Sequence, residues 1–150
     1  MTARAARALG VDVGEVRVGL ALSDPDGLVA TPLGTVPAGD DLPARLAEIA
    51  AEHECQTVVV GLPRALSGRD TASTRRARDL AERLRDVGLS VVFWDERLSS
   101  AEAERVLLQA GRRRAQRRDE RDRVAATIIL QGWLDAGRPA PRSSAEHSPR

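Results

Sequence analysis

Aromatic residues make up only 2% of the 150-residue chain, with one Phe, two Trp and no Tyr. A core must therefore be built from Val, Leu, Ile and Ala. Phe93, Trp94 and Trp133 are too few to form stacking platforms for reading single-stranded nucleic acid by sequence. The lone Cys55 excludes an intramolecular disulfide and fits a reducing cytosol. With two distant histidines, His53 and His147, it does not make a zinc ligand set either. No apolar run approaches the ~20 residues of a membrane span. The N-terminal residues carry arginines but no apolar stretch of a signal peptide. A cytoplasmic protein without a membrane partner is expected. Lysine is absent too, and the net charge is only +1. The whole chain is thus no polycation, and nucleic-acid binding must come from local arginine clusters, whose guanidinium groups hold phosphate in a fixed bidentate geometry.

What is present suggests one domain, residues 1–137, followed by a polar tail, 138–150, expected to be disordered. The organising stretch runs from Gly10 to Asp24. Leu9, Val11 and Val13 alternate with Gly10, Asp12 and Gly14, and Val16, Val18, Leu20 and Leu22 repeat the pattern. This is the period-2 signal of two strands. Gly14-Glu15 suits a two-residue hairpin turn in which Gly supplies a positive φ. Asp12 is the odd member, because a carboxylate in an apolar strand costs free energy unless it is paired, hydrogen-bonded or bound to a metal.

A third strand is expected over Leu28 to Val36, at a sheet edge because it contains Pro32. Asp40-Asp41 can cap a helix from Leu42 to Glu54, with Leu42, Leu46, Ile49 and Ala50 as its buried stripe. Thr57 to Val60 is a continuous apolar run, as in a strand buried on both faces. It leads into Gly61-Leu62-Pro63-Arg64, a loop at the carboxyl end of that strand, where ligand sites of open α/β sheets lie. A second helix covers Thr71 to Val87 and stops at Gly88. Its mixed charges read as a solvated surface. Leu89 to Trp94 is the fifth strand, followed by Asp95-Glu96-Arg97. Ser99 and Glu102 have capping-box spacing, so a third helix is expected from Ser100 to Gly111. Residues 111–123 form a charge block expected to be an irregular mobile loop. A last helix is expected over Asp122 to Ala136. Three meandering strands followed by alternating helices and strands predict an α/β fold: a five-stranded mixed sheet, three strands antiparallel and then two parallel, flanked by helices.

The organising stretch resembles the opening motif of the YqgF/RuvX family, Holliday-junction resolvase-like proteins assigned to processing of pre-16S rRNA. Gly10, Asp12, Gly14, Arg17, Gly19, Ala21, Ser23 and Asp24 match that motif. The Gly61-Leu62-Pro63 loop, Asp95-Glu96-Arg97-Leu98-Ser99 and the stretch from Asp122 through Ala125-Ala126 to Ile129-Leu130-Gln131 are similar to further family motifs. The resemblance spans roughly Ala8 to Leu134 and implies an RNase H-like fold.

It also implies a metal-dependent endonuclease acting on structured nucleic acid, with pre-16S rRNA 5′-end processing as the expected role. Two-metal phosphodiester cleavage needs carboxylates from several elements to hold two Mg²⁺ or Mn²⁺ ions about 4 Å apart. Asp12, Glu96 and Asp122 are the expected metal ligands. If the strand persists that far, parity allows at most one of Asp95 and Glu96 to face Asp12 and does not say which. The resemblance favours Glu96, and Asp95 stays a candidate. Asp122 is also a suitable helix N-cap. Arg17, Arg64 and Arg97, with Arg112, Arg113, Arg114, Arg117 and Arg118 of the charge block, are the expected contacts to nucleic acid. The substrate is structured RNA or a DNA junction, and the protein a monomer or a homodimer. A DNA resolvase with the same site, a non-catalytic nucleic-acid-binding protein and half of an actin-like kinase are the competing readings. The last needs a second Asp-x-Gly strand, which is not found.

Overall fold

The computed structural model describes residues 7–63, 69–96 and 118–138, with side chains of the last segment from residue 124 onward. Its elements are β1 (Arg7–Val13), β2 (Arg17–Ser23), β3 (Ala30–Pro37), α1 (Leu42–Glu52), β4 (Cys55–Leu62), α2 (Ala72–Asp86), β5 (Ser90–Asp95) and α3 (Arg118–Asp135). The helix expected from Ser100, and Arg64, Arg97, Arg112, Arg113, Arg114 and Arg117, lie outside the described residues. So does the tail beyond Arg138.

The five strands form one mixed sheet in the order β3-β2-β1-β4-β5. β1 to β3 are an antiparallel meander, and β1–β4 and β4–β5 are parallel pairs. The strand order places β1 at the centre. It also brings the carboxyl ends of β1, β4 and β5 to one edge of the sheet.

Alternation along β1 sorts its side chains onto two faces. Leu9 and Val11 join Val18, Leu20, Val58 and Val60 under α1 and α2, whose Leu46, Leu80 and Leu84 complete that core. Each such Leu or Val contributes roughly 1.5–3 kcal/mol by leaving water. On the other face, Ala8, Ala21, Val59 and Val92 lie under Ala126, Ile129, Leu130 and Trp133 of α3. This second face is built from small residues, and the helix comes close to it. A β-carbon on Gly10 would sit 2.8 Å from Leu130 Cβ and 3.0 Å from the Ala126 carbonyl oxygen.

The expected edge strand is an edge strand. Leu20 pairs with Gly34 and Ala21 with Pro32, so Leu33 is the extra residue of a bulge. A bulge on an edge is where a proline, lacking an N–H, is tolerated. α3 holds this edge. The Ala30 N–H donates to Gln131 Oε1 (2.9 Å), and Gln131 Nε2 donates to the Leu28 carbonyl (3.0 Å) and to Asp135 Oδ1 (3.0 Å). Ser23, fully buried, accepts from the Ala8 N–H at 2.8 Å. Asp24 organises the turn beyond it by accepting from the Leu28 and Val29 N–H groups, and these bonds hold its carboxyl below the usual carboxylate range.

Several local expectations need correction. Gly14 has no positive φ. Its N–H donates to the Arg17 carbonyl (3.1 Å), which leaves Glu15-Val16 at the tip of the hairpin. Glycine is needed there for space, since a β-carbon would lie 2.5 Å from the Arg17 oxygen. Asp41 precedes α1 but makes no side-chain cap. α2 carries instead a cap the sequence reading missed, a reciprocal Thr71–Thr74 box. Thr74 Oγ1 also donates to the Pro63 carbonyl and so ties the loop after β4 to α2. Arg78 and Arg85 are not merely solvated. Both guanidinium groups lie over the Phe93 ring, 5.9 and 5.5 Å from its centroid, and Arg85 donates to the Val91 carbonyl. α3 begins at Arg118, so the last residues of the charge block are helical rather than irregular.

Candidate active site

Asp12 is the last but one residue of β1 and lies on the small-residue face, in step with Ala8 and Gly10. Its direct neighbour on β2 is Gly19. On the other side Val11 pairs with Val60, so the next level on β4 is Gly61, which itself pairs with Trp94 of β5. The carboxylate thus stands between two glycines on adjacent strands. Space rather than apolar packing surrounds it, and Asp12 is half-buried.

The structure places the Glu96 carboxylate on the Asp12 face of the sheet. Phe93 packs with the α1/α2 core and Trp94 with the α3 core. Asp95 takes the parity of Phe93. Glu96 lies one residue past the strand, in a 3₁₀ turn, where strand parity no longer applies. A β-carbon on Gly61 would lie only 2.7 Å from Glu96 Oε2, which puts the carboxylate against β4 on the Asp12 face. Burial, followed by the negative charges of Asp12 and then Asp95, pushes the Glu96 carboxyl up to about 7. A carboxyl pushed up by desolvation and like charge marks a place where a cation or a proton is wanted.

Among the described residues, no three acidic, His or Cys side chains are placed to hold a metal ion. Asp12 and Glu96 make two. Asp122 lies within α3, four residues before Ala126 and past the first turn of a helix that starts at Arg118. It is therefore not the N-cap. The Ala126 carbonyl faces Gly10, two residues before Asp12. Hard oxygen donors that are desolvated and mutually repelling suit a divalent cation, and the pair Asp12–Glu96 fits one. Arg17 opens β2 at the neck of the hairpin, half-buried at the same edge of the sheet. Arg118 opens α3.

Cys55 plays no part in this arrangement. It starts β4, at the opposite end of the strand from Gly61, and burial pushes its thiol up to about 11. A thiol in that state is a poor nucleophile at neutral pH. Among the described residues, no helix is long and apolar enough to cross a membrane.

The model of the RuvX family, described as Holliday junction resolvase, matches residues 6–136. A protein of Nocardia farcinica named "Putative pre-16S rRNA nuclease" is 45% identical over 93% of this chain and 83% of its own length. A protein of the same name from Clavibacter sepedonicus is 50% identical over 88% of this chain and 84% of its own. Among solved structures, T. thermophilus RuvC in complex with a Holliday junction substrate is similar in fold, with a TM-score of 0.59 at 16% identity over 91% of this chain and 99% of that one. A fowlpox virus resolvase bound to Holliday junction DNA gives 0.51 at 9% identity, covering 87% and 97%.

Proposed function

The chain belongs to the RuvX family, and from that premise we propose that it is a metal-dependent endonuclease that trims the 5′ end of pre-16S rRNA in the cytoplasm. The observation that carries this reading is the approach of Glu96 to Asp12 across Gly61, at the carboxyl edge of the sheet. Residues 1–137 form the nuclease domain. Asp12 and Glu96, joined by Asp122 from α3, hold the cation, which we take to be Mg²⁺ or Mn²⁺ in a two-ion site. A divalent cation bound there supplies positive charge to the attacking water and to the leaving oxygen.

The protein's own groups do the remaining work. Asp12, fixed on the central strand, sets the position of the site. Glu96 holds its carboxylate on the same face, its pKa raised to about 7, and would serve as the second oxygen ligand of a cation. Asp95 adds its negative charge to that of Asp12 at the Glu96 carboxyl. Arg17, Arg64, Arg97 and the arginines of 112–118 take the phosphate backbone. With few aromatics to read bases, recognition rests on shape and phosphate contacts.

RNA is favoured over DNA because the relatives at 45 and 50% identity carry a pre-16S rRNA nuclease name. The family description favours a four-way DNA junction as the second reading. One experiment tests both. Purified protein is incubated with a structured RNA spanning the 16S 5′ end and with a four-way DNA junction, in Mg²⁺ or in chelator, beside the Glu96→Gln variant. Magnesium-dependent cleavage of the RNA that Glu96→Gln lacks supports the proposal. Cleavage of the junction alone assigns the second reading. Equal cleavage by the variant means a contaminant, and no cleavage of either substrate overturns the nuclease assignment.

A further inference from the structure

We infer that Gly61 is a positioning residue of the site: the absent side chain on β4 is the space that the Glu96 carboxylate occupies. The inference rests on the proposed function, since it concerns how Glu96 reaches Asp12.

The local geometry leaves few ways to accommodate even a methyl group. A β-carbon on Gly61 would lie 2.7 Å from Glu96 Oε2, would also press on Ile129 Cδ1, and would lie 3.1 Å from Ile129 Cγ1. β-carbons essentially never come within 3.0 Å of another heavy atom, so something must move. The β4 backbone is held at this level by β5, where Gly61 pairs with Trp94, and by β1 up to the preceding residue, Val60. The displacement therefore falls on Ile129 and Glu96. Ile129 is buried and β-branched, so only its Cδ1 end can turn, and that within a packed core. Glu96 presents the far end of a flexible side chain and yields by lifting its carboxylate off β4, which changes its spacing to Asp12. Ile129 of α3 is the nearest neighbour of such a β-carbon and Glu96 the next, so helix packing and carboxylate positioning act on the same residue and the variants must separate them.

Four variants separate positioning from packing: Gly61→Ala, Ile129→Val, the two combined, and Gly61→Ala added to Glu96→Gln. The first readout is the Mn²⁺ concentration at the midpoint of the metal-induced rise in melting temperature. The second is the Mg²⁺ dependence of cleavage. Ile129→Val should match the wild type in both. Gly61→Ala, alone or with Ile129→Val, should raise the Mn²⁺ midpoint at least about tenfold and slow cleavage about 100-fold at low Mg²⁺, as misplacing a reacting group by about 1 Å does. In the Glu96→Gln background, Gly61→Ala should not move the Mn²⁺ midpoint further, because both changes act on one contact. The double variant with Ile129→Val keeps the test decisive if Gly61→Ala alone folds poorly.

A Mn²⁺ midpoint unchanged in Gly61→Ala, with only the metal-free melting temperature lowered, would make Gly61 a packing residue and overturn the inference. So would an effect of Gly61→Ala that persists in full without the Glu96 carboxylate, or failure of both alanine variants to fold. A wild type that shows neither a metal-induced melting shift nor metal-dependent cleavage would remove the nuclease reading itself, and the inference with it.

Discussion

Asp12 and Glu96 share one face of the sheet with Gly61 between them, and the Asp12 charge adds to burial in holding the Glu96 carboxyl at about 7. The ordinary value for this group is 4.5. The folded protein therefore binds the Glu96 proton more tightly than the unfolded chain does. Stability from this source is fully present below about pH 4.5 and is lost as the pH rises through about 7.

Metal-free protein should accordingly lose stability between those pH values, and Glu96→Gln should remove this part of the loss. At pH 8 the variant should be more stable than the wild type by on the order of 2 kcal/mol, a figure reduced for the partial exposure of the group. Urea unfolding in chelator at a series of pH values measures it. Parallel pH profiles for the two proteins would show that Glu96 is not held in a raised state.

Gln131 should prove structural. It is the residue that joins α3 to the loop and edge strand through Ala30 and Leu28. Gln131→Ala leaves the buried Ala30 N–H without its acceptor and should cost about 1–3 kcal/mol. Faster amide exchange at Ala30 would locate the loss. Cleavage per folded molecule should stay as it was, and a specific loss of cleavage at full folding would place Gln131 in the chemistry instead.

The sheet was largely legible in the sequence because alternation and continuous apolar runs report burial directly. Val11 flanked by Gly10 and Asp12, and Thr57 to Val60 as an unbroken run, are such cases. Strand order was not legible, since spacing says nothing of which strand lies beside β1. The Asp95–Glu96 choice was hidden for a related reason. Parity stops with β5 at Asp95, and the side taken by Glu96 shows only in its contact with the Gly61 position, which no spacing reports. The Gly14 reading failed because a glycine required for close approach looks the same in sequence as one required for positive φ. The start of α3 was read too late because the charged residues before Asp122 carry no apolar period, although their backbone continues the helix. The likeness of Asp122 to a cap was a consequence of that same error.

The arginine block should govern affinity rather than chemistry. Five of the seven residues from 112 to 118 are Arg, and α3 begins where the block ends. Replacing them with Ala or Gln should weaken binding uniformly across sequences and flatten the dependence of affinity on salt, because fewer counterions are released. Binding isotherms at several salt concentrations test this, and an unchanged slope would assign the block to a solvated linker.

Arg17 should act at the site's edge. Arg17→Ala is expected to weaken nucleic-acid binding while leaving the metal-induced melting shift intact. If binding and stability both stay at wild-type values, Arg17 has no role at the site and its loss is worth less than ~0.5 kcal/mol.

The most direct test of the carboxylate site is Asp12→Asn, measured by melting and by cleavage, with and without Mg²⁺ or Mn²⁺. Asn keeps the size of the side chain and removes its charge. Without metal the variant should melt at the same temperature as the wild type or higher, because the charge repelling Glu96 is gone. Metal should stabilise the wild type and do so much less for the variant. Cleavage should fall by several orders of magnitude while affinity in chelator hardly changes. A variant that melts lower, shows the same response to metal as the wild type, and loses activity only in proportion to its folded fraction would contradict the assignment and make Asp12 a structural residue.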